Sequence, residues 1–558
     1  DTVRKIWYAI VLVVFTILFF IKISYYKIFN ASFDIMLING AHDDFAAMVD
    51  TAIEEYGALW KLPLSLVVSA LLIFVFFKIL NLKPFFIRID SRKTLIVYTA
   101  VVSIFLAVFA VFVRYSGSFS YANSITWENA ARLKSNLLNE AILDDAQALY
   151  RVKSIYKRMK SQINADMTAE NLRKQIAILG GDYTAAAIDD AFLREVKTKR
   201  LPQKPTAVIF ILGETYALWP FLREYQELSL VQEGMKLQSS SNSFSTDIML
   251  ARGTGTMPSV NGFLTGLTDA GIYENYEAQS FRAPYGMGIA HVMKNLGYKT
   301  IFWYGGFEKW QNIKAFALSQ DFDEFRSASE FKYDGGNSWG MPDKVLFEQI
   351  KDYISEHKKE MTFHFILTAS NHSPYTIDVA NEGFDAARIQ SIVLPQIGKD
   401  DYSVSAMGHI WYSDQAIGTF VKNVVDILPN ALFAITGDHA ERFSFAKEVD
   451  TKTFSAVPAI FYGQGVKKEW ISKNRAGSHT QMISTLVELI GEEGYKYSSI
   501  LPSLFDNTSN KAFNYRFWTK DGKIYSLDSG NKTDEVLKQA AASIITIWRV
   551  KNGNKIDD

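Results

Sequence analysis

TAVIFILGET, at residues 206–215, contains a short apolar run that ends at Gly213 and is followed by Glu214. Similar segments recur as KTIFWYGG (299–306), TFHFILTASN (362–371), ALFAITGDH (431–439) and PAIFYG (458–463), with helix-like stretches between them. Short apolar strands that alternate with helices predict an α/β domain with a mainly parallel central sheet, covered on both faces. We expect this domain to span residues 205–558.

Polar side chains follow three of these predicted strands. Glu214 follows the first, Asn371 and His372 follow the third, and Asp438 and His439 follow the fourth. Ligands of parallel sheets bind beyond the carboxyl ends of the strands, so these side chains are candidates for one site. Each is ordinary when taken alone, because an Asp-His pair also occurs in turns and a glutamate also begins helices.

The segment ARGTGTMPSVNGFLTG, at residues 251–266, places two threonines among glycines. Glycine lets the backbone approach another group closely, and a hydroxyl held there can serve as a nucleophile, a helix cap or a turn residue. Thr254, Glu214, Asp438 and His439 together offer three oxygens and one imidazole nitrogen. Such a set suits a hard or borderline divalent ion, which would activate the hydroxyl of Thr254.

Three apolar stretches free of charge precede this domain, at residues 6–21, 62–77 and 94–113. A membrane-spanning helix needs about 20 residues, and we predict spans at about 6–24, 62–80 and 94–113 within an anchor of residues 1–116. Residues 117–204 are polar and rich in helix formers, and we predict a helical linker there.

Loop charges predict the orientation of the anchor. The loop between the second and third stretches contains Lys83, Arg88, Arg92 and Lys93 against Asp90, and the loop before it is acidic, with Asp34, Asp43, Asp44, Asp50, Glu54 and Glu55. Positive loops stay in the cytoplasm. The domain after the third span is therefore expected outside the cytoplasm.

Composition excludes several classes of protein. Lys and Arg number 59, as do Asp and Glu, so net charge gives no support for nucleic-acid binding. Cysteine is absent, which rules out disulfides and thiolate metal sites within the chain.

Five motifs occur in order: ILGET, GTGTMPS, WGMPDKVLFEQI, SNHSPY and TGDHAE. Together they resemble the lipoteichoic acid synthase family of membrane phosphoglycerol transferases, within the alkaline phosphatase and sulfatase superfamily. The resemblance covers roughly residues 205–490. It implies that Glu214, Thr254, Asp438 and His439 bind the metal, that Thr254 rather than Thr256 is the nucleophile, and that His372 contacts substrate. We also expect His372 to be catalytic, as a proton donor or positioning group when the acceptor hydroxyl attacks.

The resemblance also implies a function. We expect transfer of a phosphoglycerol group from phosphatidylglycerol to an extracytoplasmic glycan or glycerophosphate polymer, through a covalent phosphothreonine. One divalent ion is expected, with Mn²⁺ preferred and Mg²⁺ or Zn²⁺ also compatible. The protein is expected to be a multi-pass protein of the bacterial cytoplasmic (inner) membrane, with its sulfatase-like domain facing outward or into the periplasm.

Two regions depart from the family pattern. Lipoteichoic members carry Trp-Asn-Arg in a loop whose arginine holds a phosphate, whereas this chain keeps Trp310 and has Asn312 in place of the arginine. Loss of a bidentate cation weakens a phosphate site, so the acceptor or the lipid pose is expected to differ. Trp310, Asn312 and His479 are predicted to contact substrate. For His479, the alternatives are a helix cap or a second metal site with Asp414.

Two other functions stay open on the sequence. One is phosphoethanolamine transfer to lipid A or a glycan, against which the absence of cysteine counts, because those enzymes commonly carry disulfides. The other is a catalytically silent membrane scaffold that binds glycans. The complete set of Glu214, Thr254, Asp438 and His439 counts against a silent domain.

Overall fold

The computed structural model describes residues 2–29, 32–33, 36–39, 45–82, 91–114, 119, 136–163, 167–308, 310–336, 339–373, 375–392, 397–440, 450–472, 474–506, 510–527 and 533–556. Several residues used to predict the orientation lie outside this set, namely Asp34, Asp43, Asp44, Lys83, Arg88 and Asp90. Residues 120–135 of the predicted linker also lie outside it.

The first part of the chain is helical. Its helices are α1 (Thr2–Phe29), α2 (Met36–Asn39), α3 (Phe45–Glu54), α4 (Ala58–Leu80), α5 (Arg92–Arg114), α6 (Asn136–Ile142), α7 (Asp145–Ile163), α8 (Ala169–Ile178) and α9 (Ile188–Ala191). Three of them, α1, α4 and α5, are long and apolar enough to cross a membrane. Large apolar side chains of these three helices are exposed, as lipid-facing residues would be.

Strands and helices alternate in the remainder. The strands are β1 (Leu193–Glu195), β2 (Ala207–Gly213), β3 (Ser243–Ser245), β4 (Ile248–Leu250), β5 (Lys299–Tyr304), β6 (Glu324–Ser327), β7 (Thr362–Leu367), β8 (Leu432–Gly437), β9 (Ala456–Val457), β10 (Ala459–Gly463), β11 (Ala476–Ser478), β12 (Lys496–Ser498), β13 (Phe517–Lys520) and β14 (Lys523–Ser526). The helices are α10 (Gln232–Ser239), α11 (Thr256–Thr265), α12 (Ile289–Asn295), α13 (Ile313–Ser319), α14 (Asp343–Glu356), α15 (Ala386–Ser391), α16 (Asp401–Ile427), α17 (Thr451–Ser455), α18 (His479–Ile490) and α19 (Asp534–Asn552).

The central sheet has seven strands in the order β3-β10-β8-β2-β7-β5-β6. Strands β8, β2, β7, β5 and β6 run parallel, and β10 is antiparallel to both β8 and β3. Every residue of β2, β7 and β8 is buried, which explains why these strands are largely apolar. The predicted architecture, apolar N-terminal helices followed by an α/β domain with a mainly parallel sheet, is confirmed.

The chain divides into two packed units. One contains Asp1–His42 and Ala52–Arg158, and within it α1 packs on α4. The other contains Asp43–Thr51 and Met159–Asp558, and it holds the central sheet. The second unit therefore includes a short segment from between the first two apolar helices.

Candidate active site

The centre of the site is formed where β2 and β8 end side by side. Gly213 and Gly437 are paired in register, and the amide of Asp438 donates to the carbonyl of Gly213 at 3.0 Å. A Cβ atom on Gly437 would lie 2.1 Å from the carbonyl oxygen of Tyr216, so only glycine fits there. This close packing brings Glu214 and Asp438, which follow the two glycines, to the same edge of the sheet.

The turn after β2 orients both carboxylates. Thr215 has φ 48°, a left-handed conformation that costs energy in a β-branched residue. Its amide donates to Oδ1 of Asp438 at 2.7 Å, and its hydroxyl donates to Oε1 of Glu214 at 2.9 Å. The side-chain amide of Asn371 donates to the carbonyls of Glu214 and Thr215, both at 3.2 Å. Thr215 was not singled out from the sequence, although it ends the first quoted segment.

Glu214, Asp438 and His439 form a buried group with metal-binding chemistry. One ligand atom from each lies within 4.8 Å of the others. Nε2 of His439 is 3.6 Å from Oε1 of Glu214 and 3.4 Å from Oδ2 of Asp438. Two ligands about 2.1 Å from one ion in a tetrahedral arrangement are about 3.4 Å apart, so these spacings fit a single divalent ion. The mixed oxygen and imidazole donors do not select one metal.

A threonine hydroxyl reaches this group from the start of α11. Thr256 is the first residue of the helix, after Gly255 at the N-cap, and its Oγ1 donates to Oε2 of Glu214 at 2.9 Å. Ser259, one turn later, donates from its hydroxyl to the carbonyl of Asp438 at 2.5 Å. The helix start is therefore held against the ends of both strands, with its positive end toward the carboxylates.

Thr254 lies two residues before the helix and is half-buried. Gly253 before it packs closely on Pro258, since a Cβ atom on Gly253 would lie 2.4 Å from Cβ of Pro258. The roles of Thr254 as nucleophile and metal ligand stay predictions. The contact of Thr256 with Glu214 makes Thr256 a competing candidate for both.

A buried ion pair supports the threonine loop. The guanidinium of Arg252 contacts the carboxylate of Glu274, and both side chains are almost fully buried. Arg252 also donates to the carbonyls of Pro258 at 2.6 Å, Leu267 at 2.8 Å and Thr268 at 3.0 Å. These bonds tie the first turn of α11 and the residues that follow the helix to one buried cation.

His372 follows β7 and lies in a polar turn, as the sequence suggested. Its Nδ1 donates to the carbonyl of Ser373 at 2.5 Å. In the neutral imidazole this leaves the lone pair on Nε2, which is the arrangement a proton acceptor needs. The ring packs on Trp339 with the two centroids 4.2 Å apart. The roles of His372 in substrate binding and in catalysis stay predictions.

Trp310 and Asn312 lie in a strained turn before α13. Trp310 is buried and packs on Tyr304 with centroids 5.7 Å apart, and Gln311 and Asn312 have φ 42° and 58°. The side-chain amide of Asn312 donates to the carbonyl of Asn275 at 3.1 Å. This contact gives Asn312 a role in holding the loop, whereas its predicted substrate contact stays a prediction.

His479 is fully buried at the start of α18. Its Nδ1 accepts the amide of Arg252 at 3.2 Å, its ring packs on Phe263, and burial lowers its pKa to about 3, so the imidazole is neutral. The helix cap proposed for His479 is wrong, because Ser478 is the N-cap, and its amide donates to Oε1 of Gln481 at 3.2 Å. Substrate contact by His479 stays a prediction.

Asp414 has partners of its own on α10 and in the segment after β2. It accepts the hydroxyl of Tyr216 at 2.7 Å and the amides of Glu233 and Gly234 at 2.8 and 2.9 Å. Among the described residues, the group compatible with a metal consists of Glu214, Asp438 and His439 and contains neither Asp414 nor His479.

Comparison with known proteins places this site in a family. The sulfatase family profile matches residues 207–492, more than half of the 558 residues. An alkaline phosphatase superfamily protein from Vibrio parahaemolyticus is similar at 20 % identity and a TM-score of 0.52, over 69 % of this chain and 96 % of that one. This match supports the fold.

Two further structures show weaker similarity. Lipoteichoic acid synthase LtaP from Listeria monocytogenes has 15 % identity and a TM-score of 0.47, over 69 % of this chain and 97 % of that one. Lipooligosaccharide phosphoethanolamine transferase A from Neisseria meningitidis is an integral membrane protein. It has 14 % identity and a TM-score of 0.49, over 88 % of this chain and 84 % of that one. The family profile spans β2 to α18, and the chain thus belongs to the sulfatase family, with three apolar helices before its sulfatase domain.

Proposed function

We propose that the protein is a metal-dependent phosphotransferase of the outer face of the membrane. It transfers a phosphoglycerol group from phosphatidylglycerol to an extracytoplasmic glycan or glycerophosphate polymer through a covalent phosphothreonine. The observation that carries the proposal is the hydrogen bond from Thr256 to Glu214, within a buried group that also contains Asp438 and His439.

We propose Thr256 rather than Thr254 as the nucleophile. Thr256 begins a helix and directs its hydroxyl onto a carboxylate of the metal-binding group. A hydroxyl is a poor nucleophile unless its proton is easily lost, and a bound divalent ion would lower the pKa of the hydroxyl at this position. The identity of the ion, for which we propose Mn²⁺, is open to direct elemental analysis.

The first half-reaction exchanges one P–O bond for another. Oγ1 of Thr256 attacks the phosphorus of the lipid phosphodiester, and the bond from phosphorus to the diacylglycerol oxygen breaks. Diacylglycerol leaves with the proton that Thr256 gives up. The carboxylate of Glu214, already hydrogen-bonded to Thr256, directs the attacking oxygen, and the N-terminus of α11 favours the negative charge that collects nearby.

The second half-reaction restores the threonine. A hydroxyl of the acceptor attacks the phosphothreonine, and the P–O bond to Thr256 breaks while the threonine oxygen regains a proton. Nε2 of His372 takes the proton of the attacking hydroxyl, because Nδ1 is engaged with Ser373. Trp310, Asn312 and His479 are proposed as residues that line or support the substrate pocket.

Phosphoethanolamine is the alternative head group, and the same chemistry at the site would transfer either phosphoglycerol or phosphoethanolamine. The test uses the full chain in lipid nanodiscs that contain either phosphatidylglycerol or phosphatidylethanolamine, supplied with Mn²⁺. We expect diacylglycerol release from phosphatidylglycerol. Release from phosphatidylethanolamine alone would change the donor, and release from neither lipid with any divalent ion would support the silent scaffold.

A further inference from the structure

The segment between the first two apolar helices contributes to the catalytic unit. Thr51, on α3, is 7 % exposed and belongs to the same packed unit as the central sheet. The indole Nε1 of Trp339 donates to Oγ1 of Thr51 at 3.1 Å, across 288 positions of the sequence. A residue from between the first two apolar helices in the sequence therefore fixes the orientation of an indole ring in the sulfatase domain.

The same indole packs on the candidate proton acceptor. The ring centroids of Trp339 and His372 are 4.2 Å apart, and the ring planes are inclined by 41°. The backbone on both sides of the contact is fixed as well. The carboxylate of Asp343 accepts the amides of Ala369 at 3.1 Å and Ser370 at 3.0 Å, which joins the segment after Trp339 to the turn that carries His372.

We propose that Thr51 and Trp339 are positioning residues for His372. The inference rests on the proposed role of His372. Thr51 sets the plane of the indole through its hydrogen bond, and the indole in turn sets the plane of the imidazole. An aromatic face within about 6 Å of a cation also stabilises it, so Trp339 favours the imidazolium formed during the second half-reaction.

The first test separates the two half-reactions in the full chain in nanodiscs. Thr51→Val removes the acceptor of the indole N–H, and Trp339→Phe removes the donor while it keeps a ring against His372. We expect each to slow the second half-reaction about threefold to tenfold, the effect of one hydrogen bond. The rate of diacylglycerol release in the first turnover and the metal content stay at the wild-type values.

The double variant and a rescue variant test the coupling. Thr51→Val combined with Trp339→Phe should be no slower than either single variant, because both break the same bond. Thr51→Ser keeps the hydroxyl and should restore the rate. Thr99→Val is the matched control, since Thr99 lies on α5 and bonds only the backbone carbonyl of Leu95 among its described contacts. Additive losses, or an equal loss in Thr51→Ser, would overturn the proposal.

The pH dependence supplies a readout that a purely structural role would not move. Trp339→Leu removes the aromatic face and should lower the apparent pKa of the second half-reaction relative to the wild type and to Trp339→Phe. An identical pH profile in all three proteins would contradict the role of the indole in stabilising the imidazolium.

Hydrogen–deuterium exchange tests the contact without reference to activity. In Thr51→Val, peptides covering 339–343 and 369–373 should exchange faster than in the wild type, whereas Thr51→Ser and Thr99→Val should match the wild type. If no lipid is turned over but this pattern is seen, the proposed function fails and the contact stands. If exchange in these peptides is unchanged by Thr51→Val, the positioning role fails, whatever the activity.

Discussion

Thr256 donates its hydroxyl to Glu214 at 2.9 Å, although the two residues are 42 positions apart and belong to different elements. Glu214 follows β2 at the centre of the sheet, and Thr256 begins α11. The bond places a hydroxyl at the edge of the group formed by Glu214, Asp438 and His439. It is the contact from which the proposed chemistry follows.

The metal group is tested by removal of one ligand. Asp438→Ala and Glu214→Gln should each weaken divalent metal binding by more than about 100-fold, because changes outside the ligand shell alone cost about 10–100-fold. Elemental analysis after dialysis measures it. Asp323→Asn is the control, since Asp323 bonds Lys294 and Thr300 near the amino-terminal ends of β5 and β6, whereas the metal group follows the carboxyl ends of β2 and β8. Equal metal content in Asp438→Ala and the wild type would contradict the ligand assignment.

His372 is expected to act after the covalent intermediate has formed. His372→Ala should keep its metal and slow transfer about 10²–10⁴-fold, the usual contribution of a general base, while phosphothreonine accumulates. Intact-protein mass spectrometry and metal analysis report the two effects. His357→Ala is the control, because His357 bonds the carbonyl of Tyr353 on α14. Parallel loss of metal and activity would make His372 a metal ligand instead.

Asp414 predicts a pH dependence of stability. Burial raises its pKa to about 7, against an ordinary value of about 3.9. Between these values the folded protein holds a proton that the unfolded chain has released, so stability from this group falls as pH rises, by up to about 1.4 kcal/mol per pH unit.

The measurement is the thermal midpoint between pH 4.5 and 7.5 in nanodiscs. Asp414→Asn cannot ionise, so it should flatten the decline. Its single amide oxygen can accept the bonds of Tyr216 and Gly234, whereas the bond from the amide of Glu233 to Oδ2 is lost. Asp426→Asn, exposed on the same helix, should leave the decline unchanged. If the thermal midpoint of the wild type changed with pH as little as that of Asp414→Asn, Asp414 would be ionised throughout this range.

The proposed orientation is tested with protease on spheroplasts. The orientation is expected from the positive-inside rule, applied to Arg92 and Lys93 at the start of α5 and to the acidic Asp50 and Glu54 on α3. Added protease should cut after residue 116 and spare the loop at 83–93. Cleavage in that loop with a protected C-terminal domain would reverse the topology, and the extracytoplasmic acceptor would have to be abandoned.

The sequence predicts the centre of the sheet well. Strands β2, β7 and β8 are buried on both faces, so each is a mainly apolar run that is followed by polar residues. The grouping of Glu214 with Asp438 follows from this, because ends of neighbouring parallel strands meet. Edge strands were missed: β6 reads EFRS and alternates between buried and partly buried residues, which leaves no apolar run to detect.

Two features of the site lie beyond sequence reasoning. The choice between Thr254 and Thr256 depends on where α11 begins. In the structure Gly255 is the N-cap and Thr256 is the first helical residue. Sequence patterns locate helix ends only to within one or two residues, which is too coarse to separate these two threonines. The contact of Thr51 with Trp339 joins residues far apart in the sequence, and neither residue carries a local signal of the other.

The most direct test identifies the threonine that carries the transferred group. Full-length protein with Mn²⁺ and phosphatidylglycerol, in the His372→Ala background, is digested and mapped by tandem mass spectrometry. The account predicts a glycerophosphate adduct on Thr256, lost in Thr256→Ala and kept in Thr254→Ala. An adduct on Thr254 that survives Thr256→Ala would contradict the assignment drawn from the hydrogen bond to Glu214.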